Sequence, residues 1–161
     1  MHIREIKIEF KEFSSIEELS LQDQQLILAA RETAKNAYSP YSKFSVGAAV
    51  LLDNSEVIAA NNQENADFTD GLCAERVALF YAHAMHPGIP VNTIAVTAKN
   101  SKGVFVELAQ PCGSCRQVMI ETEFRFKKAV RILLDGRDKI QLFEGADNLL
   151  PLAFKPASLD I

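Results

Sequence analysis

The three cysteines of this chain constrain its fold most, because two distant segments have to bring them together. Cys73 opens a C-A-E-R run, and the other two stand in a P-C-G-S-C run as Cys112 and Cys115. The C-x-x-C spacing lets two thiolates reach one metal ion, and Cys73 adds a third. Three protein ligands with a vacant fourth position are typical of a catalytic zinc site, whereas a structural site normally closes with four. We therefore predict one zinc ion per chain, held by these sulfurs.

The carboxylate of Glu75 stands two residues after Cys73, where an acid–base group would serve such a site. A glutamate favoured by the dipole at a helix start is the structural alternative. His83 follows Cys73 by ten residues on the same predicted helix, about 15 Å along its axis, so it cannot be the fourth ligand. His86 lies further away and His2 stands near the first residue, while an aspartate ligand remains possible. The pattern favours an open position that holds water.

Both cysteine groups lie at predicted helix starts, where the helix dipole and free N–H groups stabilise thiolates. Three thiolates on one zinc ion leave a formal charge of −1, which weakens the ion as a Lewis acid. Arg76 and Arg116 follow the two motifs directly and are candidates to donate hydrogen bonds to sulfur. We expect these arginines to support the metal ligands.

Composition predicts a packed globular protein of 161 residues with 48% hydrophobic and 24% charged residues. No repeat or linker divides the chain, so we predict one domain over 1–161, with 1–20 as an N-terminal extension that adds a strand. The net charge of −4, without a basic run, argues against a nucleic-acid partner. The longest apolar run, 46–52, is too short to span a membrane. With no signal-like segment at residues 1–13, we expect a cytoplasmic location.

Hydrophobic periodicity predicts helices alternating with strands, which is typical of a layered α/β fold. Ser20 is a predicted helix cap with Asp23 completing a capping box. Helices are predicted at 20–37, from 73 to before 87, at 111–122 and at 146–150. Strands are predicted at 46–52, 57–60, 93–98, 129–134 and 140–143, with alternation at Ile6, Ile8 and Phe10 and an ambiguous segment at 104–107. Strand 46–52 is apolar throughout, so we expect it to be covered on both faces.

These motifs, together with further blocks along the chain, resemble the cytidine deaminase family in its small three-cysteine form. The matching blocks lie at 37–42, 44–49, 62–66, 71–76, 111–117 and 149–154. The resemblance implies a three-layer α/β/α sandwich with a mixed central sheet of about five strands. It also implies hydrolytic deamination of cytidine and deoxycytidine to the uridine forms and ammonia, in pyrimidine salvage. Relatives of this type resemble one another in forming homotetramers that share their active sites.

The resemblance implies roles for particular residues. Cys73, Cys112 and Cys115 would hold zinc, and Glu75 would shuttle protons to the ring N3 and the leaving amine. The remaining implied positions would contact the substrate: Phe44 at the base, Asn62 and Glu64 at the ribose 3′-hydroxyl, the Ala74 N–H at the base carbonyl, Ala66 in the same pocket, and Phe154 reaching into a neighbouring subunit's site.

Two departures from the family pattern bear on the substrate. Phe68 stands where the family often has tyrosine, so that position offers no hydroxyl to hydrogen-bond the 5′-hydroxyl. Asp67 and Asp70 add negative charge near the expected pocket mouth, which disfavours phosphorylated nucleotides. Two alternatives to cytidine deamination stay open: a deaminase of a cytosine nucleoside antibiotic of the blasticidin type, and a zinc-stabilised interaction domain without turnover.

Overall fold

A mixed six-stranded sheet forms the middle layer of the protein. The structure, a computed structural model, describes residues 1–159. The strands are β1 (Lys11–Phe13), β2 (Ser45–Leu52), β3 (Val57–Asn61), β4 (Val91–Lys99), β5 (Arg131–Asp135) and β6 (Ile140–Glu144). The α-helices of this part of the chain are α1 (Leu21–Thr33), α2 (Ala74–Met85) and α3 (Gly113–Phe126), with short 3₁₀ turns at Ile16–Glu18, Ala34–Asn36, Ala146–Asn148 and Pro156–Leu159.

The sheet order is β1-β6-β5-β4-β2-β3, and β4 and β5 form its parallel pair. Strands β3 and β4 both run antiparallel to β2, so their carboxyl ends lie at the same edge of the sheet. Each of these two strands is followed by a loop and then by a helix, α2 after β3 and α3 after β4. This topology brings the N-termini of α2 and α3 to one edge, where both cysteine motifs stand.

Helices cover both faces of the sheet, which confirms the predicted three-layer α/β/α sandwich. On β2, Ala49 and Leu51 belong to the core shared with α1, whereas Ala48 and Val50 belong to the core shared with α2 and α3. All four side chains are buried. The uninterrupted apolar run of β2 therefore arises because successive residues enter two different cores.

Helix α1 begins as the sequence predicts, since the Ser20 hydroxyl accepts a hydrogen bond from the Asp23 N–H at 3.2 Å. It packs unusually close to β2, because a Cβ on Gly47 would lie 2.0 Å from the Ala30 carbonyl oxygen. It ends at Thr33 rather than near residue 37 and tightens into a 3₁₀ turn. The chain has to leave the helix there because Tyr38 pairs with the segment after β3, donating its N–H to the Asn62 oxygen at 3.0 Å.

The N-terminal segment supplies the sixth strand, one more than the family resemblance suggested. That strand is Lys11–Phe13, which pairs antiparallel with β6, and it follows the alternating isoleucines rather than including them. Phe10 instead stacks on Phe143, with ring centroids 5.2 Å apart. No helix within residues 1–159 has the length and apolar character needed to cross a membrane.

Candidate active site

The three cysteine sulfurs converge at the shared start of α2 and α3. The Cys112 Sγ lies 3.8 Å from that of Cys73 and 3.4 Å from that of Cys115, and all three lie within 4.8 Å of one another. Sulfurs bound tetrahedrally to one zinc ion are about 3.8 Å apart, since Zn–S bonds are about 2.3 Å long. Among the described residues, no histidine or carboxylate joins this group. The donor set therefore fits a zinc ion held by three thiolates.

Helix ends position each of these cysteines. Cys73 is the N-cap residue of α2, Cys112 is the N-cap residue of α3, and neither thiol caps its own helix. Cys115 follows in the first turn of α3 and is buried. Thiolates at these positions face the positive ends of two helix dipoles, which partly offsets their charge.

The three thiols lie so close together that a bound cation would stabilise their deprotonated forms. A hydrogen bond from the Cys115 thiol, followed by the Arg76 guanidinium, lowers the pKa of Cys73 to about 5. The same hydrogen bond, with burial, raises the pKa of Cys115. Three sulfurs this close therefore stabilise one thiolate at the expense of its neighbour. A divalent ion removes that conflict, because metal binding requires and stabilises the deprotonated thiols.

Arg76 and Arg116 have different surroundings. The Nη2 of Arg76 lies 3.9 Å from the Cys73 sulfur and donates to the Gly71 oxygen at 3.3 Å. Arg116 donates from Nε to the Pro111 oxygen at 2.9 Å and from Nη1 to the Leu149 oxygen at 2.8 Å. The sulfur contact predicted for Arg116 is not among its hydrogen bonds within residues 1–159, because nearby carbonyl oxygens take its donors. Arg116 orders the segment that leads into Cys112.

Glu75 is a buried carboxylate beside the sulfurs. Its side chain lines the cavity described below, and the residue is 3% exposed. Burial raises the pKa of Glu75, and the negative charge at Cys73 raises it further, against the opposing charge of Arg76. A carboxyl group with a raised pKa holds a transferred proton more readily than an ordinary carboxylate, and it can still return that proton. This is the electrostatic environment that general acid–base catalysis requires.

A cavity of about 500 Å³ is lined by Cys73, Cys112 and Glu75, with Cys115 buried behind them. Of the predicted substrate residues, Phe44, Asn62 and Glu64 line it. Ala66 is exposed in the loop after β3, and the side chain of Ala74 is buried at the start of α2. Phe154 does not line the cavity of its own chain and is 59% exposed. The fold thus gathers the metal ligands, Glu75 and three of the six predicted contacts around one space.

Asn62 and Glu64 face this cavity from a rigid frame. The Asn62 amide accepts from the Val46 N–H at 2.8 Å and donates to the Phe44 oxygen at 3.0 Å, and its second N–H has no partner within residues 1–159. Glu64 accepts from the Tyr41 N–H at 2.9 Å and from the Ser42 hydroxyl. The Ser42 hydrogen bond is the main cause of a lowered pKa of Glu64, so this carboxylate is ionised.

The sequence did not single out Ser42 or Gln110, although both line the cavity. Ser42 lies inside one of the matching blocks, and Gln110 directly precedes the P-C-G-S-C run. Their positions in or beside a motif could have indicated that they line the cavity. Tyr41 is also exposed, and its ring meets that of Phe68 edge-on, with centroids 5.8 Å apart. Phe68 also lines the cavity, whereas Tyr41 does not.

The loop after β4 reaches the cavity because it crosses the end of β5 very closely. A Cβ on Gly136 would lie 2.1 Å from the Glu107 carbonyl oxygen, so only glycine permits this approach. The Ala109 N–H then donates to the Asp135 oxygen at 2.9 Å. Ala109 and Gln110 line the cavity, and Cys112 follows two residues later.

Comparison with known proteins agrees with this geometry. Residues 20–131 match a model of the cytidine and deoxycytidylate deaminase zinc-binding region. A cytidine deaminase from Halalkalibacterium halodurans is 45% identical over 98 residues, covering 61% of this chain and 70% of that protein. One from Mycobacterium tuberculosis is 37% identical over 92 residues, covering 57% of this chain and 65% of that protein.

Solved structures show the same likeness over more of the chain. A cytidine deaminase structure from Burkholderia pseudomallei has a TM-score of 0.68 at 38% identity, covering 81% of this chain and 97% of the other. The resemblance predicted from the motif blocks is confirmed. Because the family model spans more than half of its residues, the chain belongs to the cytidine and deoxycytidylate deaminase family.

Proposed function

We propose that this protein hydrolyses the exocyclic amine of cytidine and deoxycytidine, giving uridine or deoxyuridine and ammonia. The observation that carries the proposal is the buried Glu75 carboxyl beside three converging sulfurs at one cavity. The cytidine deaminase name of the relatives at 37–45% identity supports the substrate class. The cavity volume of about 500 Å³ lies in the range of small-molecule sites.

Cys73, Cys112 and Cys115 are the residues that would hold the zinc ion, one per chain. When bound, zinc supplies a Lewis acid beside which water loses a proton near neutral pH. Arg76 supports this centre by placing its positive charge next to the Cys73 sulfur. The positive charge of the guanidinium and of two helix N-termini thereby offsets part of the negative charge of the three thiolates.

Glu75 moves both protons of the attacking water. As the C4–O bond forms, Glu75 takes the first proton from water and delivers it to N3 of the ring. It then transfers the second proton from the new C4 hydroxyl to the amine. The C4–N4 bond breaks, ammonia leaves, and the uracil ring keeps the N3 proton and a C4 carbonyl. The raised pKa of Glu75 suits it to accept and donate in turn.

The nucleoside would be oriented by groups on both sides of the cavity. The ionised Glu64 carboxylate accepts a hydrogen bond from the ribose 3′-hydroxyl, and the free N–H of Asn62 donates to the same oxygen. Phe44 packs against the base, and the Ala74 N–H at the start of α2 meets the base carbonyl. Ala66 lies in the loop beside the sugar. Phe68 offers no hydroxyl to the 5′-oxygen, so it contributes only apolar contact.

The assembly we propose is a homotetramer in which Phe154 completes a neighbour's active site. Its exposure, and its absence from the lining of its own cavity, support that arrangement. The whole chain, 1–161, is one deaminase domain acting in pyrimidine salvage. We propose a cytoplasmic location, which cell fractionation would test.

The test is a spectroscopic assay of zinc-loaded protein with cytidine, deoxycytidine, cytosine, cytidine 5′-monophosphate and a cytosine nucleoside antibiotic. We expect the cytidine absorbance to change for the two nucleosides, with ammonia released in equal amount. The Glu75→Gln variant, purified in parallel, controls for contaminating activity. Preference for the antibiotic would move the assignment to the blasticidin-type alternative. No turnover of any compound by folded, zinc-loaded protein would replace an enzyme with an interaction domain.

A further inference from the structure

The start of α3 holds the C-terminal arm, residues 149–154, at both of its ends. Arg116 donates to the Leu149 oxygen at 2.8 Å, and the Gln117 Nε2 donates to the Phe154 oxygen at 2.8 Å. These two donors directly follow Cys115 on the same helix. The helix that carries a metal ligand therefore also fixes where the arm ends.

The arm has a defined shape. Leu150 and Ala153 pack against the core between the sheet, α2 and α3. Leu152 adopts a left-handed backbone conformation with φ of 62°, which leucine rarely adopts, and its side chain is 92% exposed. This bend turns the chain so that Phe154 also projects outward. An exposed apolar pair on a strained, tethered bend is a feature that packing within the chain does not explain.

We propose that Gln117 is a positioning residue that preforms this arm for insertion of Phe154 into the active site of a second copy of this chain. The inference rests on the role proposed above for Phe154 and adds the group that holds it. Tethering the Phe154 oxygen removes backbone freedom before the subunits meet, so less freedom is lost when the aromatic ring enters the neighbouring cavity. Gln117 then affects substrate binding in the partner's site while leaving its own metal centre intact.

The test separates the two copies by complementation. Glu75→Gln chains keep the arm but lack the acid–base group, and Phe154→Ala chains keep that group but lack the aromatic ring. Mixed assemblies of the two should contain a population of sites with a wild-type KM for cytidine, namely the intact sites that receive Phe154 from an inactive neighbour. We then place Gln117→Met, a neutral residue of similar shape without a donor, in the Glu75→Gln chain only.

With Gln117→Met in the arm-donating chain, the KM of the mixture should rise about fivefold, as for loss of one hydrogen bond, with kcat and zinc per chain unchanged. Gln117→Lys retains a donor and should bring the KM most of the way back to the wild-type value. Gln25→Met, on the exposed surface of α1, is the matched control and should change nothing. These variants alter no residue of the site that turns over substrate.

Two failures have different meanings. If the original pair of variants does not complement, Phe154 does not act in a neighbour's site and the role proposed for it fails. If the pair complements but Gln117→Met leaves the KM of the mixture unchanged, Phe154 acts in the partner without help from Gln117, and this inference is overturned. A rise equally large for Gln117→Lys would also overturn it, since the donor would then be irrelevant.

Discussion

The two faces of the sheet bury carboxylates in opposite ways. On the face covered by α1, Asp135 accepts from Arg31 twice at 2.8 Å and from the Thr97 hydroxyl at 2.7 Å. Asp23 on the same side accepts from two nitrogens of Arg131, each at 2.8 Å. On the face covered by α2 and α3, Glu75 is as deeply buried but forms no ion pair within residues 1–159.

The same burial therefore produces opposite chemistry. For Asp23, burial favours the neutral acid, but hydrogen bonds from Arg131 and Ser20 outweigh it and lower the pKa. For Glu75, burial is the main cause of a raised pKa. A carboxylate that is paired with arginine joins elements of the fold, whereas one held at a cavity without an arginine partner is available for proton transfer. Substitutions in each group of carboxylates and in the metal ligands should therefore have separable effects on chemistry and on stability.

Cys112→Ala should have the largest effect, because two sulfurs cannot hold the ion as three do. We expect loss of bound zinc and of cytidine turnover together, measured by metal analysis and by the spectroscopic assay. Met85→Ala, on the exposed end of α2, is a control that should keep both. Retention of one zinc per chain in Cys112→Ala would show that the ligand set is wrong.

Glu75→Gln should keep zinc and the fold but slow turnover, because an amide cannot carry the proton. The expected decrease in kcat is about 10²–10⁴-fold, the usual contribution of general acid–base catalysis. Zinc content and thermal unfolding, measured on the same preparation, separate this from damage to the metal site. Turnover near the wild-type rate would remove Glu75 from the mechanism.

Arg31→Met should reduce stability and leave the chemistry unchanged. It leaves the Asp135 carboxylate buried without its cation, which costs about 3 kcal/mol in the free energy of unfolding. Lys35→Met removes an exposed ion pair with Glu32 and should cost less than about 1 kcal/mol. Denaturant titration gives both values. Loss of kcat in Arg31→Met at unchanged stability would break the comparison between the two faces.

Asp23→Asn should show a small, pH-dependent effect. The folded pKa of Asp23 is lowered, so its stabilising contribution is complete above the unfolded pKa of about 3.9 and is lost as pH falls through the folded value. The difference in unfolding free energy between wild type and Asp23→Asn should therefore be constant above about pH 5 and shrink below pH 4. A difference that grows on acidification would reverse the assigned sign.

The distance in sequence between interacting residues explains what could be predicted. Cys112 and Cys115 share one helix turn, and Glu75 lies two residues from Cys73. Ser20 caps α1 by accepting from the N–H three residues further on. Local spacing was therefore enough to predict these features. The ion pairs of Arg31 with Asp135 and of Arg131 with Asp23 join residues more than a hundred positions apart. No local pattern specifies such a pair, because it depends on where α1 lies on the sheet.

At the edges of the fold, too, partners distant in sequence decide the local structure. The alternation of Ile6, Ile8 and Phe10 predicted a strand, but pairing with β6 selects residues 11–13, and Phe10 packs on Phe143 instead. Arg116 was expected to contact sulfur from its position beside Cys115. Its carbonyl partners at Pro111 and Leu149 are set by the path of the loop and the C-terminal arm, which the helix pattern does not contain.

The proposed chemistry requires that three sulfurs bind one zinc ion and leave one coordination position for a non-protein ligand. X-ray absorption at the zinc edge of the purified protein measures this coordination. We predict three sulfur neighbours at about 2.3 Å and one lighter neighbour, which is replaced when a nucleoside analogue binds. Four protein ligands around zinc, or fewer than three sulfurs, would contradict it.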